Sequence, residues 1–320
     1  MANGFTPEFE KPLLELEERI GELKRFAKDK DIDMSDQIMA LERRAEEMAK
    51  EIFSKLDSWQ RVMIPRHLKR PTFFDLAGLV FNDFIELHGD RLFRDDPAMA
   101  GGLAWLDRRA VTVIGEQKGR DTKERITHNF GMPHPEGYRK ALRLMQQAAK
   151  FGRPIISFID VTGAYPGIEA EERGQGEAIA RNLREMSMLP VPIVVVVTGE
   201  GGSGGALATG VGDRIYMLEH AFYSVISPEG CASILWRDAR KASEAAKALK
   251  FNAENLLEFG VIDGIIPEPF GGAHRDPART AANIKQTLVT ALSELDGLAP
   301  EALVAQRYER FRGMGASVLK

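Results

Sequence analysis

The sequence predicts an α/β fold on a parallel sheet, and two observations carry that prediction. PIISFID (Pro154 to Asp160) and PIVVVVT (Pro192 to Thr198) are unbroken apolar runs, as expected of strands covered on both faces. Each follows a helical stretch, Tyr138 to Phe151 and Glu169 to Met188, and each runs into a glycine-containing loop, TGAYPG and TGEGGSGG. Both loops therefore fall on one edge of the sheet, at the carboxyl ends of the strands, where ligands bind in such folds.

From the N-terminus, Phe9, Leu13, Leu16, Ile20 and Leu23 recur at steps of four and three and predict a helix, with Thr6-Pro7-Glu8 as its cap and first turn. Ile38, Leu41, Ala45, Met48 and Ile52 repeat the pattern after a polar break at Asp29 to Ser35, so the two helices form an antiparallel hairpin. Its narrow apolar stripe packs either on the main domain or on a partner chain. WQRVMIPRHLKRP (Trp59 to Pro71) concentrates Arg61, Arg66, His67, Lys69 and Arg70 in a loop-like segment, which reads either as a solvated face or as a contact for ligand phosphates. Leu103 to Leu106 and Val111 to Ile114 flank Asp107-Arg108-Arg109-Ala110 and read as a hairpin. A strand over Arg214 to Leu218 follows the glycine loop. Helices are expected over Ala239 to Lys250, Ala253 to Phe259, Pro277 to Leu295 and Pro300 to Arg312.

The chain has 320 residues, 44% hydrophobic and 28% charged, enough for one large domain with additions or for two. A net charge of -4 argues against a nucleic-acid binder. One cysteine, Cys231, excludes a disulfide framework and a cysteine-rich zinc site. Charges interrupt the apolar residues of the N-terminus, so no signal peptide is expected there, and the apolar run Val191 to Val197 is too short to span a bilayer. A cytoplasmic location is expected.

TGEGGSGGALATGVGD (Thr198 to Asp213) fits several glycine motifs. Gly199, Gly201 and Gly204 give the dinucleotide fingerprint, but only Gly205 to Asp213 remain before the next strand, too little for a crossover helix. A P-loop fails because Gly205 stands where the lysine belongs. Gly-x-Ser-x-Gly around Ser203 would be a nucleophile elbow, for which His220 and His274 are the only downstream histidines. What the stretch does offer is Gly204 and Gly205 at the start of a short helix. There, backbone N–H groups and the helix dipole can meet developing negative charge, as in an oxyanion hole.

GEQKGRDTKERITHNFGMPHPEGYRKALRLM (Gly115 to Met145), IDVTGAYPGIEAEERGQGEAIARNL (Ile159 to Leu183), Thr198 to Asp213 and YSVISPEGCASILWRD (Tyr223 to Asp238) resemble the carboxyltransferase α subunit of bacterial multi-subunit acetyl-CoA carboxylase. FIELHGDR and IIPEPFGGAHRDP extend the likeness over nearly the whole chain. The resemblance implies a crotonase-like (ClpP/crotonase) spiral of ββα units over 96–320 with C-terminal helices, preceded by a helical region over 1–95 that contains the hairpin. It implies carboxyl transfer from N-carboxybiotin on a biotin carrier protein to acetyl-CoA, giving malonyl-CoA for fatty-acid synthesis. Its implied partners are a β subunit, in an assembly of two α and two β chains, the biotin carboxyl carrier protein and biotin carboxylase. Zinc is expected only on the β subunit, and no covalent cofactor or metal on this chain.

Under that resemblance Gly204 and Gly205 hold the ureido oxygen of biotin, and biotin nitrogen takes the acetyl proton, so no side-chain base is needed. Gly163, Ala164, Tyr165 and Gly167 are expected to line the same pocket, or to form a simple turn. Asp160-Val161-Thr162-Gly163 stands where the family commonly has Asp-Thr-Pro-Gly, which bears on loop rigidity more than on chemistry. Ser227, Glu229 and Gly230 either shape the biotin side or merely start a helix. Lys118 and Arg120 either hold a carboxylate or phosphate or form a surface salt bridge. The competing readings are a self-sufficient crotonase-type acyl-CoA hydratase, isomerase or hydrolase using Glu200 or Glu229, a peptidase using Ser203, and a non-catalytic scaffold.

Overall fold

The structure, a computed structural model, describes residues 7–315; the cap expected at Thr6 lies outside them. Eight strands, β1 to β8 in chain order, are Asn82–Glu86, Met99–Leu106, Arg109–Glu116, Ile155–Val161, Ile193–Gly202, Arg214–Leu218, Phe222–Ser224 and Gly264–Ile266. They form one sheet in the order β1-β2-β3-β4-β5-β6-β8, with β7 beside the end of β5. β1, β2 and β3 pair antiparallel and all other pairs are parallel.

β4 and β5 lie at the centre and are buried at every position. Their β-branched side chains fill both faces of the sheet, which is why their sequences do not alternate. The helix Pro135–Lys150 starts at a proline, buries Tyr138, Ala141, Leu144, Met145 and Ala148, and covers β2 and β3. The second expected helix is broken at Gly174, φ +81°, into Ile168–Glu172 and Gln175–Met188. The expected β2–β3 hairpin, β6 and the C-terminal helices Pro277–Leu295 and Pro300–Gly313 are present. β1 and β8 were not expected, because one is a largely exposed edge strand and the other is three residues long.

The N-terminal hairpin is Lys11–Lys30 and Ser35–Ser54, with a small core of its own in Leu13, Ile20, Ala45, Phe53, Leu56 and Ile64. It rests on the main body where Phe53 meets Phe270 edge-on, ring centroids 5.9 Å apart. The helix Phe73–Val80 belongs to the main core and β1 to the main sheet, so the sheet crosses the expected boundary at residue 95.

Arg307 anchors the last helix. It is 1% exposed and donates from Nε and Nη2 to Asp213, and to the carbonyls of Met186, Leu189 and Val191. Breaking a buried pair by removing one partner costs about 3–5 kcal/mol because the other charge stays buried. Arg307→Met is therefore expected to lower unfolding stability by about that much, measured by urea titration.

Candidate functional site

β5 does not stop where the apolar run stops. It continues through the glycines to Gly202, pairing there with Val161 on one side and with Phe222 to Ser224 on the other. The chain then turns at Ser203, φ +52°, into the short helix Ser203–Leu207. Two close approaches permit this path. A Cβ on Gly202 would overlap the Thr162 carbonyl, and one on Gly205 would lie 2.6 Å from both Ala164 N and Gly163 C. The turn after β4 and the turn after β5 are thus in backbone contact, with Gly163, Ala164 and Gly205 brought together. A Cβ on Gly204 would meet only Ile179, at 3.7 Å, and one on Gly163 would meet nothing within 4 Å.

The turn after β4 is held from behind. Tyr165 N donates to Pro133 O at 3.1 Å, and Gln175 Nε2 donates to the carbonyls of Pro133 and Tyr165. The Tyr165 ring stacks on His134 and occupies the space a Cβ on Gly167 would need.

Beside this junction the carboxyl ends of β4 and β5 carry a buried charge network. Lys118 Nζ lies 2.7 Å from Asp160 Oδ1 and 2.8 Å from Glu200 Oε1. Arg66 Nε donates to Glu200 Oε2 at 2.9 Å, and its Nη atoms reach both oxygens of Glu229. Arg70 forks onto Glu268 and donates to Thr198 O, tying the same segment to β5. Burial works against the Glu200 carboxylate, but Lys118 and Arg66 outweigh it and hold its pKa below the ordinary value. Burial likewise opposes the Lys118 ammonium, and Asp160 and Glu200 raise it despite that. These groups open onto a cavity of about 470 Å³ whose apolar wall includes Trp59, Met63, Leu68 and Phe130.

The site residues expected from sequence divide by position. Lys118 and Glu229 line that cavity, whereas Arg120 is engaged by Asp75 at the surface. Ser227 caps the helix Pro228–Trp236 by accepting from Gly230 N at 3.1 Å, so the SPEG segment does start a helix while its Glu229 faces the cavity. Gly204 lines a separate, mostly apolar cavity of about 330 Å³, with Ser203, Leu207, Tyr223, Val225 and Phe311 among its walls.

Neither carboxylate considered as a base is free: Glu200 is gripped by two cations and Glu229 by Arg66. Ser203 has the left-handed backbone of a nucleophile elbow, but among the described residues no histidine or acid lines its cavity. Arg66, Arg70, Asp160 and Glu268 were not singled out individually by sequence reasoning. The basic run around Arg66 and Arg70 was the available signal, and its three guanidiniums, Arg61, Arg66 and Arg70, turn out to be matched by carboxylates of the chain itself.

The sequence profile of the family described as "Acetyl co-enzyme A carboxylase carboxyltransferase-like" matches residues 6–315. The chain belongs to that family. Among carboxyltransferase relatives, it is 58% identical over 309 residues to the "Acetyl-coenzyme A carboxylase carboxyl transferase subunit alpha" of Thermus thermophilus, covering 97% of this chain and 98% of that one. It is 58% identical over 315 residues to the protein of the same name from Desulfitobacterium hafniense, covering 98% of each. Transcarboxylase 12S, at 19% identity and TM-score 0.56, covers 69% of this chain and 40% of its own. A Pseudomonas malonate decarboxylase hetero-dimer, at 16% identity and TM-score 0.56, covers 75% and 91%. The carboxyltransferase fold of this chain is crotonase-like.

Glu116 lies directly behind the site, fully buried, with Oε2 accepting from Asp160 N and Oε1 3.2 Å from Thr209 Oγ1. Burial, with a smaller push from the Asp160 charge, raises its pKa to about 8, so at neutral pH the folded chain carries this group as the acid. Between the ordinary glutamate value of 4.5 and about 8 the folded state holds a proton that the unfolded state has lost. Stability from this group is therefore full below the lower value and declines as pH rises, by about 1.4 kcal/mol per pH unit. Glu116→Gln reproduces the acid, with its amide donating to Thr209 and its carbonyl accepting from Asp160. It is expected to remove that slope in denaturation curves taken between pH 5 and 8.

Proposed function

We propose that this chain is the α half of an acetyl-CoA carboxylase carboxyltransferase. It transfers the carboxyl group of N-carboxybiotin, borne on a carrier protein, to acetyl-CoA and forms malonyl-CoA, the starting unit of fatty-acid synthesis. The relatives' identity over nearly their full length supports the reaction. The observation that supports the site assignment is the backbone contact of Gly205 with the Gly163–Ala164 turn, which brings the backbone of two strand ends together beside Gly204.

In this reading those N–H groups hold the biotin ureido oxygen as the carboxyl group departs. Negative charge grows on that oxygen, and oriented backbone donors stabilise it without rearrangement; one such donor is worth roughly 3–4 kcal/mol of transition-state stabilisation. Among the described residues no histidine or acid lines the cavity at Gly204, which fits a reaction in which biotin nitrogen itself takes the acetyl proton. Lys118 and Glu229 sit in a cavity of the same strand ends and stay assigned to the carboxybiotin side. Gly163, Ala164, Tyr165 and Gly167, in the turn that follows the cavity-lining Thr162, stay assigned to the same side, with Ser227 and Gly230 shaping the helix that presents Glu229. Arg120, held by Asp75, is given no contact with substrate.

A β subunit carrying a zinc ribbon completes the site and takes most of the acyl-CoA, and biotin carboxylase charges the carrier in an ATP-dependent complex. The cytoplasm is the proposed location; no helix among the described residues is long and apolar enough to cross a membrane.

The first test is transfer of labelled carboxyl from carboxybiotin to acetyl-CoA by this chain alone and with the β subunit. Transfer only in the mixture supports the proposal, and acyl-CoA chemistry by the chain alone overturns it. Gly205→Val drives a side chain into the Gly163–Ala164 backbone and is expected to lower kcat by about 100-fold or more with the assembly intact by gel filtration. Near-normal transfer in that variant would defeat the oxyanion assignment.

A further inference from the structure

Glu10, His67 and His274 meet at a buried point to which the proposed reaction assigns no role, although His67 also borders the cavity of Lys118 and Glu229. They come from three distant places: the turn that opens the first helix, the basic segment, and the GGAH loop after β8. Glu10 is fully buried, and neither of its carboxylate oxygens has a hydrogen-bond partner among the described residues. Both ring nitrogens of His274 are in the same position, with the side chain 5% exposed. Glu10 Oε2 and His274 Nε2 are 3.6 Å apart, and the His67 and His274 rings stack with centroids 4.0 Å apart. One ligand atom from each residue lies within 4.8 Å of the other two. Gly271 and Gly272, at φ +90° and +111°, turn the loop that delivers His274 inward.

A buried carboxylate without donors is unfavourable until a cation neutralises it. A proton shared by Glu10 and His274 would satisfy one carboxylate oxygen and leave the other alone. A divalent ion can take both oxygens together with one nitrogen from each ring. Two imidazoles and a carboxylate are a donor set suited to zinc and its neighbours.

We propose that Glu10, His67 and His274 bind one divalent transition-metal ion of the zinc class, which clips the first helix and the loop after β8 onto the segment that carries Arg66. The three donors close by roughly 1 Å to reach metal distances of about 2.0–2.2 Å. His67 Nδ1 accepts from Lys69 N at 3.1 Å, so coordination through Nε2 moves the ring proton to Nδ1 and releases that one contact. The three ligands are scattered at positions 10, 67 and 274, so no spacing motif announces them, and the single cysteine excluded only a cysteine-rich site.

The test uses the full chain free of any partner subunit, stripped with a chelator and titrated with zinc alone. Expected are one equivalent of zinc per chain by calorimetry and atomic absorption, and a higher thermal midpoint with zinc present. His274→Ala should abolish uptake. Glu10→Gln, close in shape and kept in case the alanine variant fails to fold, should weaken it by more than about 100-fold, since even a supporting residue outside the ligand set costs about 10–100-fold. His88→Ala, at a surface histidine beside Glu86 and Asp95, should leave uptake unchanged. No stoichiometric uptake in excess zinc, which would leave a shared proton as the neutralising cation, overturns the proposal. So does uptake that survives in both the His274 and Glu10 variants.

Discussion

The site depends on a contact between two stretches of backbone. β4 and β5 run side by side, and past their apolar segments they stay close enough that no side chain fits between the turns that follow. Gly202 lies against the Thr162 carbonyl and Gly205 against the Gly163–Ala164 peptide. Glycine serves here through the missing Cβ, which lets polar backbone groups from two strand ends converge. Neither Gly202 nor Gly205 has a positive φ; the left-handed position at this turn is Ser203. An extended strand running straight into a short helix leaves the first N–H groups of that helix without acceptors inside it, which is the condition for gripping an oxyanion.

The charges beside that junction form a chain in which cations and carboxylates alternate: Lys118 between Asp160 and Glu200, Arg66 between Glu200 and Glu229. Buried charges are tolerated when each is paired, and removing one partner strands the rest. The network therefore acts as a unit that sets the distance between β5, the segment around Arg66 and the helix that begins at Pro228. Glu116, kept as the acid, adds a hydrogen-bond acceptor for Asp160 N at neutral pH without another negative charge beside Asp160 and Glu200. The N-terminal part of the chain consequently belongs to the site: Arg66 and Arg70 come from before the first strand, yet they fix groups on β5 and beyond β8.

Much of this architecture was legible from local pattern. Continuous apolar runs marked β4 and β5, because a strand covered on both faces has no polar side to show. The heptad-like spacing marked the N-terminal hairpin, and paired adjacent glycines after a strand marked the junction. Extended motifs shared with a known family pointed to the carboxyltransferase reading. What escaped was whatever depends on distant residues. β5 extends through its glycines only because β7 and Val161 supply partners for them. β8 is three residues long and is a strand only because β6 lies alongside.

By itself the sequence determined the α/β class, two buried parallel strands with their glycine loops on one edge, the helical hairpin and the place of Gly204 and Gly205 at a strand-to-helix turn, because each follows from residue types a few positions apart. Only the tertiary structure decided that Arg66 joins Glu200 to Glu229, that Arg120 is occupied by Asp75, and that Glu10, His67 and His274 share one buried point. Those outcomes are matters of distance between segments tens to hundreds of residues apart. Charge pairing and desolvation act through space, and composition and periodicity carry no record of which distant groups will meet.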